Sequence, residues 1–397
     1  MALAILASTP RLYAQITSIP NADGSDLALN VTVSTNIDLS QAANGSWTSS
    51  SANPGKGTYD ANQWAVVFKY SSVNIAPGAT VTFSNHITHA PVVWLVSSNV
   101  TINGNLSLDG QNYNNDPINL PEPGPGGFRG GSGTYNILGR GPGFGPGGGA
   151  SSYQPGTYAT SYGNAQLLPL IGGSGGASGV NGSENGGGGG GAILIAAKGA
   201  ISFGGAGSVH AIGGNGNPSR GSGGGIRLVA NQILGVSGSS ISALGFCPTC
   251  PAEIGIVRLE TTNLSSAINI TPTTQAVAPS NTPTIFPVGA ATVSVLSVSN
   301  ANGLVTAPLD PRAVMSPNVG ADDITLVTTN TVTIRLQALN FPTNGAVTVF
   351  VKQRNNVPQT TYQASFVSGT FATNLWQVPN VPLAYPAHTI IQARAAY

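Results

Sequence analysis

The stretch from residue 186 to 245 carries an internal repeat, and this repeat constrains the fold more than any other feature of the chain. Each copy contains a glycine run, an apolar segment of about five residues, and two shorter apolar segments that end in glycine. Ile193 and Val209 of the first copy recur as Ile226 and Ile241, 33 and 32 residues later. A period near this length, built only from short segments and turns, is typical of a solenoid.

Apolar residues alternate with others inside each copy, which indicates strands. Ile193, Ile195 and Ala197 have a period of two, so their side chains face one side of a strand. Gly-Gly, Gly-Asn and Ser-Gly pairs between the segments break any helix and provide corners. Equivalent strands stacked about 4.8 Å apart would pair their backbones and align their apolar side chains. We therefore predict a right-handed parallel β-helix; the alternative is an antiparallel meander with Gly-rich hairpins.

Residues 92–110 repeat the pattern 100 residues earlier, with Val93 aligned to Ile193. The segment between the copies, residues 111–185, is a long Gly/Pro-rich insertion. Loops of this length without structure of their own are uncommon in compact domains. Two interpretations stay open: a mobile Gly/Pro arm, or extended glycine segments that pack flat on the solenoid.

The chain divides into four parts, all of them β-structured or extended. Residues 1–20 resemble the remainder of a secretory signal, with a cleavage-like Leu12-Tyr13-Ala14. Residues 21–268 form the β-helix, and residues 269–290 form a Thr/Pro/Ala linker. Residues 291–397 contain longer strands at regular spacing, which predicts an antiparallel, immunoglobulin-like β-sandwich. No apolar run reaches the roughly 18 residues of a membrane span.

Charge is scarce in this chain and limits its partners. Charged residues make up 7% of the sequence, against about 25% in ordinary soluble domains. The net charge of +1 provides no basic field for nucleic acid. A nearly neutral surface has little charge repulsion, so we expect self-association or contact with neutral polar partners such as cell-surface glycans.

Residues that could carry chemistry are few and scattered. The nearest acidic group along the chain is Asp109, Asp116 and Glu122, which we interpret as solvated loop residues. His86 and His89 are three residues apart; on a strand such a pair points to opposite faces, and we interpret the two as polar residues of a turn. A zinc site needs three or four ligands. We predict no catalytic, cofactor-binding or metal-binding residues and no enzymatic activity.

Two further sets of residues have candidate roles. Cys247 and Cys250 are the only cysteines, and in a secreted protein they predict a small-loop disulfide. If the protein binds carbohydrate, aromatic rings are the expected contacts. The candidate glycan-contact residues are Trp64, Trp94, Tyr135 and Tyr153.

The combination of VVWLVSSNVTINGNLSLDGQ, PGPGGFRGG, GGGGGGAILIAA and GGGIRLVA resembles the glycine-rich, right-handed β-helix proteins that many environmental bacteria secrete. These proteins are related in general shape to pectate-lyase-like solenoids and haemagglutinin-type adhesins. The resemblance covers roughly residues 25–260. It implies an extracellular or cell-surface structural role and carries over no site residues. The C-terminal part is similar to modules that end many secreted bacterial proteins.

Two functional hypotheses follow. The first is a secreted structural or adhesive protein that self-assembles into a filament or surface matrix, since an uncapped solenoid end offers unpaired strand edges. The alternative is a carbohydrate-binding or carbohydrate-active β-helix protein, for which two carboxylates in one cleft would favour hydrolysis. A flat ice- or mineral-binding face has weaker support, because Thr80 and Thr82 form only one short row.

Overall fold

The structure is a computed structural model of the 397-residue chain. It describes residues 15–43, 57–60, 62–114, 121–131, 142–149, 159, 163–179, 185–216, 219–246, 254–287, 289, 291–300, 330–353, 360–383 and 389–396.

The first part of the chain consists of eighteen short strands and one 3-10 helix, Leu39–Ala43. The strands are β1 (Ala28–Val31), β2 (Thr35–Asp38), β3 (Thr58–Asp60), β4 (Ala65–Tyr70), β5 (Ser72–Ile75), β6 (Thr80–Ser84), β7 (Val92–Val96), β8 (Val100–Ile102), β9 (Asn105–Ser107), β10 (Ala192–Ala197), β11 (Ala200–Phe203), β12 (Ser208–His210), β13 (Gly225–Val229), β14 (Gln232–Gly235), β15 (Ser240–Ser242), β16 (Ile256–Glu260), β17 (Asn263–Leu264) and β18 (Asn269–Thr271).

These strands form three sheets of six. Sheet I has the order β3-β4-β7-β10-β13-β16, sheet II β1-β5-β8-β11-β14-β17, and sheet III β2-β6-β9-β12-β15-β18. All neighbours are parallel except β3 and β4. From β4 onward, every group of three consecutive strands contributes one strand to each of the three sheets. This stacking is compatible with the predicted parallel β-helix.

The predicted repeat is confirmed in register for the later copies. Ile193 pairs with Ile226 in sheet I, and Val209 pairs with Ile241 in sheet III. Their side chains join one buried aliphatic core inside the three sheets. Because strands this short cannot bury an apolar face alone, the core depends on this alignment between successive coils.

The predicted register of the earliest copy is wrong by one residue. Ile193 pairs with Val92 rather than Val93, and Ile195 pairs with Trp94. A shift of one residue exchanges the two faces of a strand. Residues 92–96 read VVWLV, so no polar residue marks the outward positions, and the sequence alone does not fix which residues point inward.

Sheet I is buried on both faces, unlike a sheet with one solvated face. β7 and β10 are buried at every residue, the pattern of a parallel strand covered on both sides. Its outer face is covered by two segments, residues 15–22 and 277–286, which we call the strap. Ile16, Ile19 and Ile285 of the strap pack on this face.

The strap contains residues from two of the predicted parts of the chain. Residues 16–20, assigned to a residual signal, are part of the fold: Asn231 bonds both the amide nitrogen and the carbonyl of Ile16. The predicted linker, residues 269–290, begins with strand β18, and its later part packs on the sheet rather than running free. Residues 1–14 lie outside the described residues.

The described parts of the insertion form, with neighbouring glycine segments, what we call the glycine bundle: residues 108–111, 122–131, 172–176, 186–191, 211–215 and 219–224. Its central segment, 186–191, is surrounded by three neighbouring segments. Successive backbone amides of the central segment donate to each of the three in turn, so every third amide donates to the same neighbour. Three residues per turn without internal hydrogen bonds is the period of a polyproline II helix. The donor and acceptor pairs are Gly186 to Gly131, Gly189 to Phe128, Gly187 to Ser219, Gly190 to Ser222, Gly188 to Gln111 and Gly191 to Leu108.

The last part of the chain contains two antiparallel sheets that share a second apolar core. Their orders are β19-β20-β24-β23 and β22-β21-β25. The strands are β19 (Thr292–Asn300), β20 (Asn330–Leu339), β21 (Ala346–Gln353), β22 (Thr360–Gln363), β23 (Ser365–Gly369), β24 (Thr373–Leu383) and β25 (Thr389–Ala396).

The sequence analysis missed β24 in this module. Two prolines, Pro379 and Pro382, obscure it, because proline is rare inside paired strands. The pairing of β20 with β24 shifts register between Val332 and Ile334, so Pro379 and Asn380 lie in the irregularity. Asn380 has a φ of 56°. Trp376 of β24 lies in the core and bonds the side chain of Asn374.

Candidate functional site

A cleft of about 620 Å³ opens on the outer face of sheet I, within the roughly 300–1,000 Å³ range of small-molecule sites. Val67 and Leu95 come from neighbouring sheet strands, and Phe286 comes from the strap. The polar lining includes Asn21 and Thr58. The cleft therefore combines an apolar base with a polar rim.

Two carboxylates line this cleft. Asp26 accepts a hydrogen bond through Oδ2 from the backbone amide of Lys69, at 2.7 Å. Asp60 accepts two through Oδ1, from the amides of Asn62 and Gln63, at 2.9 and 3.2 Å. These bonds fix the two carboxylates. The remaining oxygen of each accepts no hydrogen bond from the residues that the structure describes.

One cation, Lys69, lines the cleft. Its Nζ lies 3.3 Å from an oxygen of Asp23, at the exposed rim. Hydrogen bonds from Ser25, joined by Lys69, lower the pKa of Asp23 to about 2. The ammonium group is thus already paired, and the unbonded oxygens of Asp26 and Asp60 leave the cleft electronegative.

A buried polar cluster lies behind the cleft. Tyr59 lines the cleft and stacks on His86, with ring centroids 4.2 Å apart. The Nδ1 atom of His89 lies 3.9 Å from Oε2 of Glu122. The side-chain amide of Asn85 donates to the same Glu122 oxygen, at 3.1 Å. This cluster joins the turn after β6 to the insertion.

Hydrogen bonding indicates the tautomer of His86. The Thr88 backbone amide donates to Nδ1 of His86, at 3.2 Å, so the neutral ring carries its proton on Nε2. Burial, and then the neighbouring His89, lower the pKa of His86. Burial raises the pKa of Glu122, while Asn85 and Arg129 act in the opposite direction. The two histidines lie in one turn, as predicted, and both are buried.

The tryptophans proposed as glycan contacts are in the interior. Trp94 is fully buried in the solenoid core, where its ring lies edge-on to Tyr70. Trp64 is 8% exposed, and its indole nitrogen donates to the carbonyl of Thr88. Neither ring offers a face to a glycan, so these two assignments are wrong. For Trp94 the cause is the one-residue register error in β7.

Other predicted residues have different outcomes. Tyr135, Tyr153, Cys247 and Cys250 lie outside the described residues, as does Asp116. Asp109 is not a free loop residue: its Oδ2 lies 2.7 Å from Nδ1 of His210 on the next coil. Across the described part of the chain, no group of three or more His, Cys, Asp or Glu side chains is placed to hold a metal ion.

The sequence analysis missed the cleft altogether. Its lining comes from four separate stretches, around residues 21–26, 58–69, 95 and 286, which only the folded chain brings together. Asp60 is one aspartate among Ser, Gly and Asn residues and carries no local signal. It ends β3, the antiparallel strand at the edge of sheet I, and this position depends on tertiary structure.

An exposed apolar patch lies on the C-terminal module. Val367 and Phe371 are 48% and 59% exposed, and Phe366 and Leu339 are also exposed. They belong to β23, its turn into β24, and the end of β20. The β23–β24 pairing has a register shift at Val367, the mark of a β-bulge.

No family model matches the chain, and no curated protein and no solved structure is significantly similar to it. Within the described residues, none of the helical structure is long and apolar enough to cross a membrane.

Proposed function

We propose that this protein is a secreted structural or adhesive protein, built on a right-handed parallel β-helix and an immunoglobulin-like module, that associates with copies of itself. The observation that carries the proposal is the group of exposed apolar side chains on the C-terminal module, Leu339, Phe366, Val367 and Phe371. Large apolar side chains that stay exposed in the folded chain indicate an interaction site.

We expect the two copies to associate through these side chains and not through the addition of a strand to the edge of the sheet. β23 is the last strand of its sheet among the described residues and is exposed throughout. A bulge at an edge disrupts the ladder that a further strand would need. The bulge at Val367 therefore favours association through its apolar side chain and that of Phe371.

A second copy is the partner that the charge balance favours. With a net charge of +1 spread over 397 residues, two copies meet without strong repulsion. Leu27 and Val33, 72% and 69% exposed, flank β1 at one end of sheet II. Contact between two different patches is heterologous, and such contacts form filaments when they do not close into rings.

The patch supports no enzymatic reaction, and the proposal includes none. The alternative, a carbohydrate-binding or carbohydrate-active protein, is favoured by the cleft on sheet I. The carboxylates of Asp26 and Asp60 there hold backbone amides, which is a structural role. We therefore retain binding, but not hydrolysis, for that cleft.

Light scattering after size exclusion, over a hundredfold concentration range, tests self-association. We expect the mass to rise with concentration for the wild type. Phe371→Lys should weaken association at least about tenfold, because a buried Phe side chain contributes roughly 1.5–3 kcal/mol. Val236→Lys, at a similarly exposed turn of the solenoid, is the matched control. A wild type that stays monomeric, or a Phe371→Lys protein that associates normally, contradicts the proposal.

A further inference from the structure

We infer that the cleft on sheet I binds a neutral saccharide. This inference goes beyond self-association and does not depend on it. The cleft lies on the solenoid between β3, the strap and the outer face of β4 and β7, and no residue of the apolar patch lines it.

The first argument is the mixture of surfaces. A sugar ring has an apolar C–H face and a rim of hydroxyl groups that both donate and accept hydrogen bonds. In the cleft, Val67, Leu95 and the Phe286 ring provide apolar contact. Asn21 and Thr58 provide polar groups that donate and accept. A purely apolar ligand would offer the Asn21 side chain no hydrogen-bond partner, which costs binding free energy.

The second argument is the state of the carboxylates. Asp26 and Asp60 each use one oxygen on backbone amides and keep the other unbonded among the described residues. A carboxylate held in this way is a preorganised acceptor for hydroxyl donors. Because the backbone bonds already fix the side chain, ligand binding orders little that was free before.

The third argument is charge. The ammonium group of Lys69 is paired with Asp23 at the rim, so among the described lining residues two carboxylates face a ligand without a free cation beside them. An anionic ligand would be repelled. The hydroxyl groups of a neutral ligand can donate charge-assisted hydrogen bonds to the two carboxylates, and the ligand itself needs no charge for this.

The site is anchored by two parts of the fold that are far apart in sequence. Asn21 and Phe286 belong to the two segments of the strap, which are tied together where the Thr17 amide donates to the Asn281 carbonyl, at 2.9 Å. Asp60 is fixed by β3, which pairs antiparallel with β4. The cleft is therefore formed in the folded chain before a ligand arrives.

The test uses the full chain and a defined panel of oligosaccharides. The neutral members are oligomers of glucose, mannose, galactose and N-acetylglucosamine; oligogalacturonate is the anionic member and oligoglucosamine the cationic one. We expect calorimetry to detect binding of at least one neutral member. Asp60→Asn should weaken this binding at least about tenfold, and Phe286→Ala should weaken it as well.

Asp38→Asn is the matched control, because Asp38 caps a turn through the Ser40 amide in the same way but lies outside the cleft. It should bind as the wild type does. Thermal unfolding of each variant shows whether the fold is intact, and Asp60→Asn keeps an acceptor for the two amides it holds. If Phe286→Ala unfolds, Thr58→Ala, at an exposed cleft position, replaces it.

Three results would overturn the inference: no neutral oligosaccharide binds, the anionic oligosaccharide binds more tightly than the neutral ones, or Asp60→Asn binds unchanged. The two proposals can fail separately. Phe371→Lys should bind saccharide normally while it associates weakly, and Asp60→Asn should associate normally while it binds saccharide weakly.

Discussion

The solenoid core and the glycine bundle lie side by side in one chain and are held together in opposite ways. In the core, Ile193 and Ile226 stack in neighbouring strands, and the free energy comes from apolar area removed from water. In the bundle, segments with almost no side chains approach until their backbones hydrogen-bond directly. The solenoid core needs side chains of the right size, whereas the glycine bundle needs residues without side chains.

This difference determines which substitutions each region tolerates. A core loses stability when a side chain is shortened, because a cavity remains. A backbone bundle loses stability when a side chain is lengthened, because the added atom meets a carbonyl group. Two substitutions, each with a control, test this contrast, and a third concerns the polar cluster between the solenoid and the insertion. They follow from the largest expected effect to the smallest.

Gly189→Ala should have the largest effect. A Cβ there would lie within 3.0 Å of the Gly173 carbonyl, where real Cβ atoms essentially never occur, and the Gly189 amide would lose its bond to Phe128. We expect the free energy of unfolding to fall by roughly 5 kcal/mol or the chain not to fold. Urea unfolding, followed by circular dichroism, measures it.

Gly205→Ala is the control for that substitution, since the nearest atom to its added Cβ is 3.8 Å away. It should change stability by less than about 0.5 kcal/mol. Equal losses at the two glycines would mean that glycine content, and not close backbone approach, explains the bundle.

Ile226→Ala should cost about 2–5 kcal/mol, the usual range for truncating a buried aliphatic side chain. Ile226 is fully buried and contacts both neighbouring coils through its strand. Val236→Ala, at an exposed turn, should cost less than about 0.5 kcal/mol. The same urea measurement compares them, and a loss at Ile226 no greater than at Val236 would break the contrast with the bundle.

The smallest effect concerns the polar cluster between the solenoid and the insertion. Burial lowers the pKa of His86 below its unfolded value of about 6.5, so the unfolded state binds the proton more readily. Stability should fall as pH drops through about 6.5, and the loss should be complete below the folded-state pKa. Protonation of Nδ1 would also remove the bond from the Thr88 amide.

His86→Asn should abolish this part of the pH dependence, because Asn does not titrate. Glu122 acts in the opposite direction: its raised pKa makes the folded state more stable as its carboxyl takes up a proton. The readout is therefore the difference in unfolding free energy between wild type and variant from pH 7.5 to 5. A difference that does not change with pH would contradict the assigned cause.

Sequence reasoning succeeded where a local pattern has one physical meaning. The glycine-bounded repeat, which aligns Ile193 with Ile226, identified the residues of β10 that point into the solenoid core and predicted its partner β13. It failed at VVWLV in β7, where both faces are apolar, and at β24, where two prolines lie in a strand with an irregular register.

The candidate site divides in the same way. The nearly neutral net charge is a property of composition, so it can be read from the chain. The cleft depends on Asn21, Asp60 and Phe286 meeting across more than 200 residues. No local sequence pattern predicts this contact, because none of the three residues belongs to a recognisable motif in its own segment.

The amino-acid sequence by itself determined the repeat, the strands and the scarcity of charge, because these follow from the spacing and chemistry of near neighbours. Only the tertiary structure decided that the strap covers sheet I, that the glycine segments bond to one another every third residue, and that Trp94 points inward. Those outcomes depend on which distant backbones approach closely, and that is set by packing of the whole chain rather than by any short stretch of it.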